Sequence, residues 1–235
     1  MKLPDVMAEL ERLGSEQQRK IYRNHGATAE MFGVKVGDLK VIAKKIKGQQ
    51  ALALDLYRTG NLDAMYLAGL VADGSQMTRK EIDTWARKAS GTMVSEYTVA
   101  WVAAESPHAR ALALEWIDSD KESVASAGWN TYAGLLAMRP DAELDRDEIA
   151  ALLARVEKEI HAAPNRVRYC MNGFVIAVGA SVKPMLAKAK ATAKRVGSVE
   201  VDMGKTSCKL PVALDMIAKV EAMGRVGSKR KTTKC

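Results

Sequence analysis

The sequence contains few aromatic residues and few cysteines. Only 5% of its 235 residues are aromatic, and Ala, Leu, Val and Met supply most of the 48% apolar share. Such a composition is typical of tightly packed helices rather than β-sandwiches. The three cysteines, Cys170, Cys208 and Cys235, are odd in number, widely spaced and without a paired histidine pattern. We therefore expect neither a disulfide framework nor a zinc site.

Long hydrophobic runs are absent as well. No apolar stretch approaches the ~18 residues that span a bilayer, and residues 1–14 are acidic and amphipathic rather than signal-like. The three histidines lack metal-ligand spacing, and Gly204-Lys-Thr lacks the upstream glycine of a nucleotide-binding loop. The sequence thus predicts a cytoplasmic protein, nucleoid-associated if bacterial, with no membrane segment, no metal and no cofactor.

Acidic residues are scarce in the last third of the chain. Residues 163–235 carry 15 Lys or Arg against four Asp or Glu, a formal +11, whereas residues 1–162 carry 21 against 24, a formal −3. The two regions sum to the +8 of the whole chain. A one-sided excess of positive charge is typical of proteins that bind a polyanion, most often nucleic acid. The alternative is a soluble basic protein with a lysine-rich tail.

Apolar residues recur at helical spacing along almost the whole chain, and capping residues and prolines separate roughly twelve helices. Gly69, Gly134 and Gly173 lie inside three helices with a similar small-residue texture. A glycine within a helix is explained by close approach of a neighbouring helix backbone. The sequence predicts an all-α fold, an α-solenoid of HEAT-like helical hairpin repeats, as a single domain over residues 1–223. An irregular helical bundle is the alternative.

Two segments depart from the helical pattern. Residues 198–201 are the only candidate strand, and they are too short to build a sheet. Residues 224–235 are rich in Lys and Arg and have no apolar periodicity, which predicts a basic, disordered tail. Such a tail either adds phosphate contacts or only increases solubility.

A row of lysines follows Asp38, which we expect to open a helix. Lys40, Lys44 and Lys47 are spaced i, i+4 and i+7, Lys45 lies beside them, and apolar residues form the opposite face. Such a row can follow the phosphates of a nucleic acid.

Further basic residues occur near the beginning of a later helix and after it. Arg166 and Arg168 follow Pro164, so their donors lie beside the positive end of a helix dipole. Lys183 and Lys188 belong to a stretch without acidic residues. Together with the earlier lysines these residues form the predicted DNA-binding set, although a solvated lysine face is the simpler interpretation of each one alone.

A segment near the amino terminus carries a resemblance to a known family. MFGVKVGDLKVIAKKIK, residues 31–47, resembles the N-terminal signature of the DNA alkylation repair family, the AlkD-like HEAT-repeat proteins. The likeness covers about residues 20–222. Four more segments agree with it, at residues 115–120, 128–130, 160–168 and 199–209.

The resemblance implies an α-solenoid that curves around duplex DNA, with basic side chains on its concave face. Some family members are N-glycosylases that act on cationic alkylpurines without flipping the base out of the stack, and others bind DNA without that activity. The partner implied is therefore duplex DNA, alkylated or branched, bound by a monomer.

Excision of a cationic alkylpurine needs a carboxylate near the sugar and aromatic faces for the cation. The resemblance brings Glu96 to the family's catalytic Asp and Phe174 to a later Trp. Thr92 and Ser126 stand where the family has another Trp and an Arg. Glu is one methylene longer than Asp, and small misplacements of reacting groups are costly.

The candidate catalytic set is Glu96, Phe174 and Trp129, with Tyr97 as a further aromatic face. The alternative is that the tryptophans anchor the core and that Glu96 is a solvated or capping acid. The function predicted is DNA binding by a basic solenoid, with excision of 3-methyladenine or 7-methylguanine left open. A non-catalytic scaffold for structured nucleic acid or an acidic protein is the alternative in another class.

Overall fold

The computed structural model describes residues 1–234, which fold into thirteen α-helices without a strand. The helices are α1 (Leu3–Leu13), α2 (Glu16–Asn24), α3 (Val36–Lys45), α4 (Gln50–Arg58), α5 (Leu62–Val71), α6 (Arg79–Lys88), α7 (Ala100–Glu105), α8 (Ala109–Ile117), α9 (Glu122–Met138), α10 (Arg146–Glu159), α11 (Asn165–Ser181), α12 (Leu186–Val196) and α13 (Ala213–Ala222). A π-helical stretch, Met93–Val99, runs directly into α7 and is called the π segment below. The all-helical prediction is confirmed, and residues 198–201 form no strand.

Local sequence signals set several helix ends. The Asn61 side chain accepts hydrogen bonds from two amides at the start of α5. Thr78 and Glu81 form a capping box at the start of α6. Helix α3 begins at Val36 rather than at Asp38, which lies in its first turn and places a carboxylate near the positive helix end.

Two hydrophobic cores lie side by side and meet along α8 and α9. The first is built mainly from α1 to α7 and includes Trp116, and the second is built from α8 to α13 and includes Trp129. Helix α9 packs against both α8 and α11, so it joins the two cores. Because α9 is buried on most sides, its sequence lacks the charged face of an outer helix.

Close helix approach explains two of the three predicted glycines. A Cβ atom at Gly134 would lie 2.9 Å from the Cβ of Ala104 in α7. A Cβ atom at Gly69 would lie 2.6 Å from the side chain and 3.0 Å from the Cα of Thr98 in the π segment. Gly173 does not fit the prediction, since a Cβ there would meet nothing closer than 4.0 Å. A similar close approach lies at Gly128, where a Cβ would lie 2.7 Å from the Ile117 backbone nitrogen of α8.

The basic tail is not a free extension up to residue 234. Residues 224–234, called the strap below, cross the carboxyl-terminal ends of α5, α7, α9 and α11. The Lys229 ammonium donates to the carbonyl oxygens of Leu136 at 2.8 Å and Ser181 at 2.6 Å. The Lys234 ammonium donates to the Ala72 carbonyl and lies 2.9 Å from Glu105.

The prediction of a disordered tail is therefore wrong for these residues. The last carbonyls of a helix have no partner within the helix and carry partial negative charge. Lysine side chains donate hydrogen bonds to these carbonyls and offset their negative charge. The strap is therefore held in place without apolar periodicity of its own. Cys235 lies outside the described residues.

Within residues 1–234, no single helix is long and apolar enough to cross a bilayer. The pair Asn165–Ser181 and Lys183–Val196 reaches that length and composition together, with a bend of 114° between its parts.

Candidate nucleic-acid interface

A cavity of about 690 Å³ opens where the amino-terminal ends of α9 and α11 face the carboxyl-terminal end of α2. The π segment forms another wall, and residues 197–212, called the bridging loop below, form the last. The polar and aromatic side chains of interest in its lining are His25, Tyr97, Glu122, Asn165, Arg166, Tyr169, Asp202 and Lys209.

The bridging loop connects the two ends of the chain across this cavity. Asn165 exchanges two hydrogen bonds with the backbone of Asp202, at 2.9 and 2.7 Å. The Lys205 amide donates to the Asn24 carbonyl at 3.0 Å. Gly204 has φ +70°, and a Cβ there would lie 2.3 Å from that carbonyl oxygen, so the contact requires glycine.

Glu96 and Arg166 form a buried ion pair behind the cavity wall. Arg166 Nε lies 2.7 Å and Nη2 lies 2.6 Å from the two carboxylate oxygens of Glu96. The Glu96 side chain is 0% exposed and the Arg166 side chain 19%. Burial raises the pKa of Glu96, and the hydrogen bonds from Arg166 oppose that shift. Bidentate pairing in this geometry fixes both side chains.

The start of α11 is also tied to the start of α9. The Arg166 amide donates to Glu122 Oε1 at 2.7 Å, which places a carboxylate at the positive end of α11. Cys170, one turn further along, is fully buried, and burial raises the pKa of its thiol well above its ordinary value. Within residues 1–234 no group of three or more His, Cys, Asp or Glu side chains is placed to hold a metal ion.

Three tyrosines line the cavity. Tyr22 is buried, with its hydroxyl donating to the Val34 carbonyl at 2.6 Å, and Tyr97 and Tyr169 are more exposed. Tyr97 is 37% exposed, which is unusual for a large aromatic residue in this fold, and its ring packs 5.9 Å from that of Trp101. The guanidinium carbon of Arg166 lies 4.3 Å from the centre of the Tyr169 ring. Burial, followed by the proximity of Tyr169, raises the pKa of Tyr97.

Phe174 and Trp129, the predicted aromatic members of the catalytic set, do not reach this cavity. Both side chains are 0% exposed, and their rings meet edge to face in the second core with centres 5.2 Å apart. Trp129 follows Gly128, which brings α9 against α8 and turns the indole inward. Neither ring therefore has a face open to a bound base, which corrects the expectation from the sequence. Glu96 likewise lies beneath Arg166 rather than projecting into the groove.

The structure divides the predicted DNA-binding set. Lys40, Lys44, Lys45 and Lys47 are exposed on α3 and its end, and within residues 1–234 none of them forms an ion pair. Arg166 is turned inward to Glu96, as described above.

The remaining members of that set are dispersed. Arg168 donates to the Glu200 carbonyl at 2.9 Å. Lys183 and Lys188 are exposed, but Lys183 lies beyond the opposite end of α11 from Arg166, about 25 Å away at 1.5 Å per residue. These residues do not form one continuous patch.

Sequence reasoning missed Tyr169 and Glu122 as lining residues. Tyr169 stands three positions after Arg166, and residues with that spacing share a helix face. That spacing was a usable signal. The only sequence signal for Glu122 was its position at the start of a helix. Acidic residues are common there because they stabilise the helix end, so the position does not indicate a site.

The sequence profile of a family described as DNA alkylation repair enzyme matches residues 6–195. The chain belongs to the DNA alkylation repair family. Uncharacterized proteins of Listeria innocua and Listeria monocytogenes are 34% and 33% identical to it over 217 residues, which cover 90% of this chain and 93% of each relative.

A solved structure is similar over the whole length. It shares 42% sequence identity with a TM-score of 0.90, and the match covers 100% of both chains. That protein is described as part of a new family related to the HEAT-like repeat DNA glycosylases, with affinity for branched DNA structures. The HEAT-like solenoid predicted from the sequence is thereby confirmed.

Proposed function

We propose that the protein binds branched duplex DNA through exposed lysines and does not excise bases. The likeness to a solved relative with affinity for branched DNA supports the substrate class. A branch point presents phosphates from more than one duplex, and dispersed basic groups suit it better than one straight patch does.

The lysines of α3 support the binding part of the proposal. Lys40 and Lys44 project from one face of α3, Lys47 lies in the turn that follows it, and all three are exposed. Cations without acidic partners are available to replace the counterions of DNA phosphates, which is the main source of affinity for a nucleic acid backbone.

The Glu96–Arg166 pair is the single observation that carries the claim of no excision. A catalytic carboxylate must reach the sugar that becomes positively charged. Both carboxylate oxygens of Glu96 are occupied by Arg166, and its side chain is 0% exposed. Freeing Glu96 would leave Arg166 without its charge partner in a largely buried place, which is strongly unfavourable.

Binding is tested by measuring the affinity of the protein for a four-way junction and for a linear duplex of equal length across a range of salt concentrations. We expect tighter binding to the junction, and a slope of log K against log salt near −5 if about six phosphates are engaged. Equal affinity for the two DNAs would remove the preference for branches. Weak binding that ignores salt would favour a protein scaffold instead.

Excision is tested by incubating the protein with duplex DNA that contains 7-methylguanine or 3-methyladenine. We expect no release of purine above the rate without protein. Release by the wild type that disappears in Glu96→Gln, while DNA affinity stays unchanged, would contradict the proposal and restore Glu96 as a catalytic residue.

A further inference from the structure

The cavity differs in chemistry from the lysine face of α3. Its volume of about 690 Å³ lies within the range of small-ligand sites, about 300 to 1,000 Å³. Three tyrosines line it, Tyr22, Tyr97 and Tyr169; Tyr22 is buried, and Tyr97 is the most exposed of the three. An open aromatic ring in a concave wall is a stacking surface for a flat group.

The charges around the cavity do not suit a phosphate inside it. Arg166 is neutralised by Glu96, and the carboxylates of Glu122 and Asp202 line the same space. Within residues 1–234, Glu122 accepts a hydrogen bond through Oε1 only, from the Arg166 amide, so Oε2 is available to a ligand. This interior favours an uncharged, planar group that donates hydrogen bonds.

The positive groups lie on the bridging loop. Lys209 lines the cavity and is exposed, and Lys205 is exposed four residues earlier. A nucleotide whose base enters the cavity would thus have cations near its phosphates. Sites for unpaired nucleotides commonly stack the base on an aromatic side chain inside the site and contact the phosphate with basic side chains outside it.

We propose that this cavity receives one unpaired nucleobase from the branch point of the DNA. The proposal rests on the proposed function, because branch points are where duplex DNA offers unstacked bases. The exposed ring of Tyr97 stacks on the base, Tyr169 lines the cavity beside it, and Glu122 accepts from the amino or imino group of the base. An amino-bearing base suits the free carboxylate oxygen of Glu122 better than thymine, which has no exocyclic amino group.

The test compares two junctions that differ by one chemical group. Each carries one extra nucleotide at the branch point, and in the second that nucleotide lacks its base. We expect the wild type to bind the first junction about ten-fold more tightly, in line with base–aromatic stacking. Tyr97→Ala should bind the two junctions equally, whereas Tyr97→Phe, which keeps the ring, should retain the preference.

Matched variants separate this proposal from the binding function itself. Replacing Lys40, Lys44 and Lys47 with Gln should weaken binding to both junctions by the same factor and leave their ratio unchanged. Glu122→Gln should lower the preference for cytosine over thymine at the unpaired position. Circular dichroism and thermal melting confirm that each variant is folded.

A direct readout uses 5-iodouracil at the unpaired position and ultraviolet light. The same experiment with 5-iodocytosine, which carries the amino group that Glu122 accepts, should crosslink more efficiently. We expect the crosslink at Tyr97 or Tyr169. Tight binding of the wild type to both junctions with a ratio near one, and crosslinks outside the cavity, would overturn the cavity proposal and leave branched-DNA binding intact. Absence of junction binding altogether would overturn both.

Discussion

Lysines at the two ends of the chain differ in what they contact. Lys40 and Lys44 on α3, and Lys47 in the turn after it, are exposed and form no ion pair within residues 1–234. Lys229 and Lys234 in the strap bind helix-end carbonyls and the carboxylates of Asp141 and Glu105. The amino acid is the same, but only the first group is free to neutralise a phosphate. A count of lysines therefore predicts a partner only after internal pairs are removed.

Ion pairs between the two regions partly offset the uneven charge along the sequence. Four cations after residue 163 pair with acids before it: Arg166 with Glu96, Arg195 with Glu157, Lys229 with Asp141 and Lys234 with Glu105. The positive charge of the last third thus stabilises contacts between the two parts of the chain. It is not all available as an external field.

Among the cations that form internal ion pairs, Arg166 is expected to have the largest effect on stability. Arg166→Ala leaves the Glu96 carboxylate buried and unpaired, which should lower the free energy of unfolding by about 3 to 5 kcal/mol. Urea unfolding followed by circular dichroism measures it. The control removes both partners, as Glu96→Leu with Arg166→Met, and should cost much less than Arg166→Ala alone. A single variant as stable as the wild type would show that the pair is open in solution.

A smaller effect is expected in the strap. Lys229→Ala removes charged hydrogen bonds to the last turns of α9 and α11 and the ion pair with Asp141. It should lower the free energy of unfolding by about 1 to 3 kcal/mol. Amide hydrogen exchange should also quicken at the ends of α9 and α11. Lys231→Ala, on an exposed strap residue, is the matched control, and equal effects would mean that the strap is detached.

Local signals were the part of the fold that the sequence could predict. Capping residues and apolar spacing act within a few positions, so helices such as α6 follow from Thr78, Glu81 and their neighbours. The Glu96–Arg166 pair joins residues 70 positions apart, and the contact of Lys234 with Ala72 spans 162. No short-range pattern encodes such contacts. For that reason the sequence predicts a disordered tail where the structure has the strap.

The candidate site was only partly predictable for the same reason. Glu96 and Arg166 were both singled out from the sequence, one as a catalytic acid and the other as a phosphate ligand. Their mutual contact gives both a different role. Trp129 gives a second example. The neighbouring Gly128 allows close contact between α9 and α8 and does not open a groove, and the sequence alone does not distinguish these two roles.

The smallest effect on stability is expected on α3. Replacing Lys40, Lys44 and Lys47 together with Gln should change the free energy of unfolding by less than about 0.5 kcal/mol, since exposed lysines without partners contribute little. The same denaturation experiment measures it. A loss comparable to that of Lys229→Ala would mean that these lysines are also engaged within the fold, and the comparison would fail.

The salt dependence of junction binding tests the central claim most directly. Log K for a four-way junction is measured against log salt for the wild type, for the α3 triple Gln variant, and for a control with Gln at Lys80, Lys88 and Lys158, which are exposed on α6 and α10 and give the same change in net charge. We predict that the α3 variant reduces the slope by about 2 to 3, as expected for three lost phosphate contacts, and that the control leaves it within about 0.5 of the wild type. Equal slopes for the two variants would contradict the account, because net charge alone would then explain the binding.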